Sequence, residues 1–309
     1  MPPKPQNRLQ GPFKSPFFAA SGCFGYGPEY GWLGTEGLGG VFSKGITRQP
    51  KAGNPAPRLA ETPCGLLNSI GLENPGIEAF LHEYADSLLQ LGVPVFVNLE
   101  GDTPEEYAFL AEQVERSGKP FAGLELNLSC PNVERGGLEL GTDPRTVRQI
   151  VEEVRAITER PLIAKLTPNA TSVVDLAEAA LAGGADALTL CNTLLGMRID
   201  IWSRKPSLGS GFGGLSGPAV RPVILRIVYQ VWRAFQPIIF ASGGITRAED
   251  AMEYLLAGAR YFQIGTALFR NPGIFAEISQ NWKVLLQRLG AQNEEELLGA
   301  AHAADRVRA

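Results

Sequence analysis

The chain has 309 residues, 44% hydrophobic and 19% charged, with a formal net charge of −4. These proportions describe an ordinary globular protein, and no segment gathers enough Lys and Arg to make a nucleic-acid surface. Met1-Pro2-Pro3-Lys4-Pro5 lacks the apolar run of a signal peptide, and the rest of the chain has no stretch of about 18 apolar residues, so a cytoplasmic protein without membrane contact is expected.

In chain order, the first sixteen residues read as a short hairpin or cap. Eight short apolar runs come next, Phe17–Ser21, Gly40–Lys44, Pro94–Leu99, Gly123–Leu128, Leu162–Leu166, Ala187–Cys191, Ile238–Ala241 and Tyr261–Ile264. Amphipathic segments such as Thr146–Ile157, Val173–Ala182 and Ala248–Ala257 lie between them. Strands alternating with helices indicate a parallel sheet. Eight such units in about 250 residues match an α/β closed barrel, the (β/α)8 or TIM barrel, better than an open sheet. A single domain spanning 1–309 is expected, with a short N-terminal cap and long active-site loops. Those loops are residues 45–75 and 192–218, rich in Gly, Pro, Asn and Ser; segments of that length are functional or disordered.

Chemistry concentrates where the runs end. Ser242-Gly243-Gly244-Ile245 comes after the seventh run and Gly265-Thr266-Ala267 after the eighth. Glycine lets backbone amides approach an anion, and this end of such barrels commonly binds phosphate. The pair fits either a phosphorylated substrate or a flavin mononucleotide. Ser21, Lys44, Asn98, Asn127, Lys165 and Asn192-Thr193 stand at or near other strand ends. Their donors and acceptors suit a planar heterocycle with alternating carbonyls and amides. Lys165 interrupts an apolar strand and needs an anionic partner there. It either stabilises charge on a reduced flavin ring or joins a salt bridge in a loop.

Four cysteines, Cys23, Cys64, Cys130 and Cys191, are too scattered for a disulfide framework or a metal cluster, so no metal is expected in this chain. His82 and His302 read as surface or satisfied residues, which leaves a general base to another residue type. Cys130 lies in Asn127-Leu-Ser-Cys-Pro-Asn132, past a strand end in a polar loop, where a thiol is a poor packing choice and a usable base. Cys23, Cys64 and Cys191 read as packing residues. Gly209-Ser-Gly-Phe-Gly-Gly214 matches a dinucleotide fingerprint by letter only, since it follows Arg204-Lys205-Pro206 rather than an apolar strand and Pro218 interrupts what comes after. It reads as a mobile glycine-rich loop over the site.

Asn127–Asn132, Asn68-Ser-Ile-Gly-Leu72, Lys165, Asn192-Thr-Leu-Leu-Gly-Met-Arg-Ile-Asp200, Gly214-Leu-Ser-Gly-Pro218 and Gly243-Gly-Ile245 together resemble the class 1 dihydroorotate dehydrogenases, over about Phe17 to Ile278. The segments 192–200 and 214–218 are similar to class 1B. The resemblance implies oxidation of dihydroorotate to orotate in pyrimidine biosynthesis, with Cys130 taking a proton from C5 while hydride passes from C6 to FMN. It implies a pyrimidine site of Lys44, Asn68, Ser69, Ile70, Gly71, Leu72, Asn127, Asn132, Asn192 and Thr193. It implies an FMN site of Ser21, Lys44, Gly45, Asn98, Asn127, Lys165, Cys191, Gly217, Gly243, Gly244, Gly265 and Thr266. Position 191 is more often aliphatic in that family, so a contact there through the backbone makes the thiol immaterial. A homodimer of barrels joined by two subunits carrying FAD and a [2Fe-2S] cluster, with NAD as acceptor, is also implied. The rival readings are a class 1A homodimer using fumarate, a barrel lyase or isomerase with Lys165 as a Schiff base, and a non-catalytic scaffold.

Overall fold

A computed structural model describes residues 8–9, 13–26, 34–128 and 140–303. The strands are β1 (Phe17–Ala19), β2 (Gly40–Phe42), β3 (Leu59–Thr62), β4 (Gly65–Asn68), β5 (Val95–Leu99), β6 (Gly123–Leu128), β7 (Leu162–Leu166), β8 (Ala187–Leu190), β9 (Leu194–Gly196), β10 (Ile199–Asp200), β11 (Lys205–Pro206), β12 (Gly213–Ser216), β13 (Ile238–Ser242) and β14 (Tyr261–Ile264). Eight of them close a parallel barrel in the order β1-β2-β5-β6-β7-β8-β13-β14. These are the eight apolar runs of the sequence. Strands buried on both faces need apolar residues on both, which is why they read as continuous runs.

The helices around the barrel start where the sequence supplies caps. Thr103 accepts from the Glu106 amide ahead of the helix Pro104–Arg116, Asp143 from Arg145 ahead of Pro144–Arg155, and Ser172 from Asp175 ahead of Val173–Ala182. The second of these begins at Pro144 rather than Thr146, because Asp143 caps it and proline suits the first turn. Outward strand residues such as Val41, Val97, Leu124, Leu126, Ala164 and Leu188 pack with the helices in one fully buried cluster. Among the described residues no helix is long and apolar enough to cross a membrane.

Two expectations about the loops need correction. Residues 45–75 and 192–218 are not simply long loops: they contribute a four-stranded antiparallel sheet, ordered β3-β4-β12-β9, and the small β10–β11 ladder. Gly209–Gly214 is not all loop either. Gly213 and Gly214 lie in β12, paired on one side with β4 and on the other with β9. The Gly209 amide donates to Pro57, and Ser210 Oγ lies 2.6 Å from Ser69 Oγ. Only glycine fits there, since a Cβ on Gly213 would stand 2.2 Å from the Asn68 carbonyl oxygen.

Of the first sixteen residues, those described cap the barrel's N-terminal end and include no strand. Leu9 and Phe13 join the inward aromatic cluster, with the Phe13 ring edge-on to Phe18 at 5.0 Å. Arg8 reaches buried Asp186 at 3.3 Å, and Arg155 holds the other carboxylate oxygen at 2.9 Å.

Candidate active site

Successive residues of a strand point to opposite faces, so each barrel strand sends alternate side chains inward. The lowest inward layer is apolar. Phe18, Phe42, Phe96, Ile163, Ala187 and Phe240 plug the N-terminal end, with Phe42 and Phe96 stacked at 4.8 Å. One step up, the same faces carry Asn98, Glu125, Lys165, Thr189 and Gln263, all buried. A further step reaches Asn127 on β6 and the chain just past β8. Polarity therefore rises along the barrel axis toward the C-terminal strand ends, where barrel active sites form. A cavity of about 570 Å³ among Arg8, Phe13, Lys14, Phe96 and neighbours opens at the other end, away from all of these groups.

The middle layer is centred on Glu125. One oxygen accepts from Thr189 Oγ1 at 2.6 Å and Gln263 Nε2 at 2.9 Å, the other from Asn98 Nδ2 at 2.6 Å. Lys165 Nζ stands 3.9 Å from that second oxygen. The anion that buried Lys165 requires is thus inside the barrel, not in a loop. Asn98 Oδ1 and Gln263 Oε1 remain buried without a partner among the described residues. Beside Asn98, Gly45 leaves open the place where a Cβ would stand 3.1 Å from Oδ1.

Above this layer the predicted pyrimidine residues converge from three directions. Asn127 donates through Nδ2 to Glu100, its Oδ1 accepts from Asn192 Nδ2 at 3.0 Å, and its carbonyl accepts from Tyr107 at 2.7 Å. Opposed donor and acceptor neighbours fix which end of the amide faces which way. Asn192 Oδ1 in turn accepts the Thr193 amide at 2.8 Å. Thr193 packs where a side chain on Gly214 would otherwise be, its Oγ1 2.1 Å from that position, while Asn68 Nδ2 donates to the Gly214 carbonyl at 3.2 Å. The Asn68–Leu72 segment bends through Gly71 and Leu72, both at positive φ. Asn74 clamps the bend. It donates to the Leu72 carbonyl at 2.7 Å and to Thr47 Oγ1 at 2.8 Å, and it accepts from the Thr47 and Gly76 amides. Ser69 is occupied by Asn54 and Ser210, and the Ile70 carbonyl by the Asn54 amide. Lys44, half-buried at the end of β2, holds its ammonium 5.8 Å from the Tyr26 ring centroid.

The predicted phosphate residues also come together. A Cβ on Gly244 would stand 2.7 Å from the Gly217 carbonyl oxygen, and one on Gly217 would stand 2.6 Å from the Gly65 Cα, both at positive φ. Thr266 Oγ1 donates to Ser216 Oγ at 2.6 Å, and Tyr254 to the Gly243 carbonyl at 2.7 Å. The segments after β12 and β13 meet backbone to backbone, and the segment after β14 joins them through the Thr266–Ser216 hydroxyl pair. Gly265 faces Cys23 Sγ, 3.2 Å from its missing Cβ, and Ser21 sits in the turn just before.

Burial pushes the Cys23 thiol up to about 11 and the Cys191 thiol upward as well, with the Lys165 ammonium partly opposing both. Neither supplies a thiolate near neutrality. Cys64 is exposed. His82 is exposed on its helix, and His302 is buried, stacked on Tyr229, with Nε2 3.0 Å from the Ala257 carbonyl. Cys130 and Asn132 lie outside the described residues. Sequence reading passed over Glu125, Thr189, Gln263, Glu100, Tyr107 and Asn74. Glu125 was detectable by parity, since it lies two residues before Asn127 on the same strand.

A dihydroorotate dehydrogenase family model matches residues 6–286. The chain is 48% identical over 288 residues, 93% of its length and 94% of the relative's, to the "Dihydroorotate dehydrogenase B (NAD(+)), catalytic subunit" of Geotalea uraniireducens. The protein of the same name from Pelobacter propionicus is 49% identical over 288 residues, with the same coverage. That of a Geobacillus strain is 45% identical over 287 residues, 93% of this chain and 91% of its own.

Proposed function

The chain belongs to the dihydroorotate dehydrogenase family, and from that premise we propose how its residues divide the work. It is the catalytic subunit of an NAD-linked dihydroorotate dehydrogenase of class 1B, an oxidoreductase of pyrimidine biosynthesis. The fumarate-linked, Schiff-base and scaffold readings are set aside. The family works through a flavin, and we assign FMN, one per chain. The observation that carries this is the middle layer of the barrel. Its buried acceptor Asn98 Oδ1 has no partner among the described residues, and the Lys165 ammonium beside it is held by charge alone. A planar ring bearing N–H and carbonyl groups complements that pair, and the glycine segments at 217, 243–244 and 265–266 suit a single phosphate.

In this assignment Ser21, Lys44, Gly45, Asn98, Asn127, Lys165, Cys191, Gly217, Gly243, Gly244, Gly265 and Thr266 hold FMN. Lys44, Asn68–Leu72, Asn127, Asn132, Asn192 and Thr193 hold the pyrimidine. FMN held by these residues would supply the acceptor for the hydride leaving C6 of dihydroorotate. Cys130, as thiolate, takes the C5 proton, so that the C5–H and C6–H bonds break and the C5=C6 bond of orotate forms. The Asn127 and Asn192 amides, each fixed by a neighbour, orient the ring without having to reorganise during the step. Lys165 offers positive charge to a ring that gains electrons.

Catalytic subunits act with partners. We assign electron-transfer subunits carrying FAD and a [2Fe-2S] cluster, two of them with two barrels, in the cytoplasm, each barrel chain being one domain. The scattered cysteines and the failed dinucleotide fingerprint of this chain support placing those groups elsewhere. The test is anaerobic mixing of the purified yellow chain with dihydroorotate. Bleaching of the flavin absorbance and release of FMN on denaturation are expected. A colourless protein that cannot be loaded with FMN, or a flavin that dihydroorotate leaves oxidised, overturns the reading.

A further inference from the structure

We propose that Glu125 is a positioning residue that sets the reduction potential of the bound flavin, by fixing Asn98 and partly neutralising Lys165. The inference rests on the flavin assignment and goes beyond it. Glu125 is completely buried inside the barrel, where an isolated carboxylate is strongly unfavourable. Three neutral donors from three other strands hold it: Asn98 on β5, Thr189 on β8 and Gln263 on β14. Both oxygens are therefore engaged, and the carboxylate is not free to swing toward Lys165.

This arrangement acts on the ring in two ways. Lys165 Nζ lies 3.9 Å from the carboxylate, beyond hydrogen-bond length but well within Coulombic reach. Its charge is offset while its donors stay available. Asn98 gives its Nδ2 to Glu125, so its Oδ1 must turn the other way, toward the place that Gly45 leaves open. Glu125 thereby makes Asn98 present an acceptor, and it dilutes the positive field that Lys165 presents. A purely structural ion pair explains neither the two orphaned amide oxygens, on Asn98 and Gln263, nor a lysine held without a hydrogen bond.

A flavin gains negative charge on reduction, so the carboxylate opposes reduction and the ammonium favours it. The experiment is a dye-coupled anaerobic titration of the FMN-loaded full chain, as wild type, Glu125→Gln, Lys165→Met and the double variant. Glu125→Gln should raise the ratio of reduced to oxidised flavin at a fixed potential by about tenfold to a hundredfold, a shift of roughly 30 to 60 mV more positive for a two-electron couple. Lys165→Met should shift the potential in the negative direction. If Glu125→Gln alone cannot be purified because its lysine is left unpaired, the double variant removes both charges together. Its potential should lie above that of Lys165→Met by a comparable amount. Equal potentials in wild type and Glu125→Gln, or in Lys165→Met and the double variant, overturn the proposal while leaving the flavin reading intact. A wild-type chain that takes up no FMN overturns the flavin reading itself.

Discussion

A cysteine serves as a base only if its thiolate is within reach at working pH, and neither buried thiol near Lys165 meets that criterion. Cys23 and Cys191 sit close to Lys165, yet burial outweighs the ammonium and drives both upward, Cys23 to about 11. Proximity to a cation is therefore not enough. Cys130, two residues past β6 in a polar sequence, is the base proposed above. Cys130→Ala should slow flavin bleaching by dihydroorotate about 10²- to 10⁴-fold, the usual contribution of a general base, whereas Cys23→Ser should bleach at the wild-type rate. Stopped-flow absorbance distinguishes these outcomes, and equal rates for Cys130→Ala and wild type exclude Cys130 as the base. The neighbouring asparagine gives a second prediction at this scale. Asn127 Nδ2 donates to the Glu100 carboxylate, so Asn127→Asp sets two carboxylates face to face in a buried place where both cannot ionise. The KM for dihydroorotate should increase about 10- to 100-fold, or roughly 1.4 to 2.8 kcal/mol of binding. An unchanged KM removes Asn127 from the pyrimidine site.

Between residue and molecule, the small sheet over the barrel mouth carries much of the site's geometry. Its bend at Gly71-Leu72 is held by Asn74, which is buried and makes four hydrogen bonds to residues 47, 72 and 76. Asn74→Ala leaves several of those groups buried and unpaired, which should cost about 2 to 4 kcal/mol. A lower midpoint in urea together with weaker dihydroorotate binding is expected, and loss of stability with unchanged substrate affinity separates the bend from the site. This sheet was also what the sequence concealed. The barrel strands are buried on both faces, so apolar runs marked all eight. The sheet strands are three or four residues long, largely only half-buried, with glycine in three of the four, and they pair residues as distant as Asn68 and Gly214. No local pattern records such a pairing, and glycines that fit under Thr193 look like loop glycines until the partner strand is in place. The site was legible where polar residues end apolar strands, as at Asn98, Asn127 and Lys165. Glu125 escaped because a carboxylate in mid-strand reads as an outward residue until inward parity is counted from Asn127.

At the scale of the whole molecule, the β10–β11 hairpin is the least self-sufficient part of the structure. Its two short strands pair only with each other, and Ile199, Ile201 and Trp202 are exposed there, Trp202 at 89% and Ile201 at 72%. Leu195 and Met197 extend the apolar surface along β9. Exposed apolar side chains gathered along one short segment mark an interaction site, and a tryptophan near its tip is the residue type that dominates interface energies. The assembly assigned above needs two contacts from each barrel, one with its twin and one with the electron-transfer subunit. The hairpin carries none of the proposed flavin residues, so we place the twin on the hairpin. Trp202→Glu puts a charge at the centre of that self-contact and touches none of the proposed flavin or pyrimidine residues. Light scattering should then report a monomer in place of the proposed dimer of the wild-type chain, while the flavin spectrum and its bleaching by dihydroorotate are retained. A dimer that persists unchanged removes the hairpin from the self-interface. Loss of NAD reduction in the presence of the partner, with the dimer intact, assigns the hairpin to the electron-transfer subunit instead.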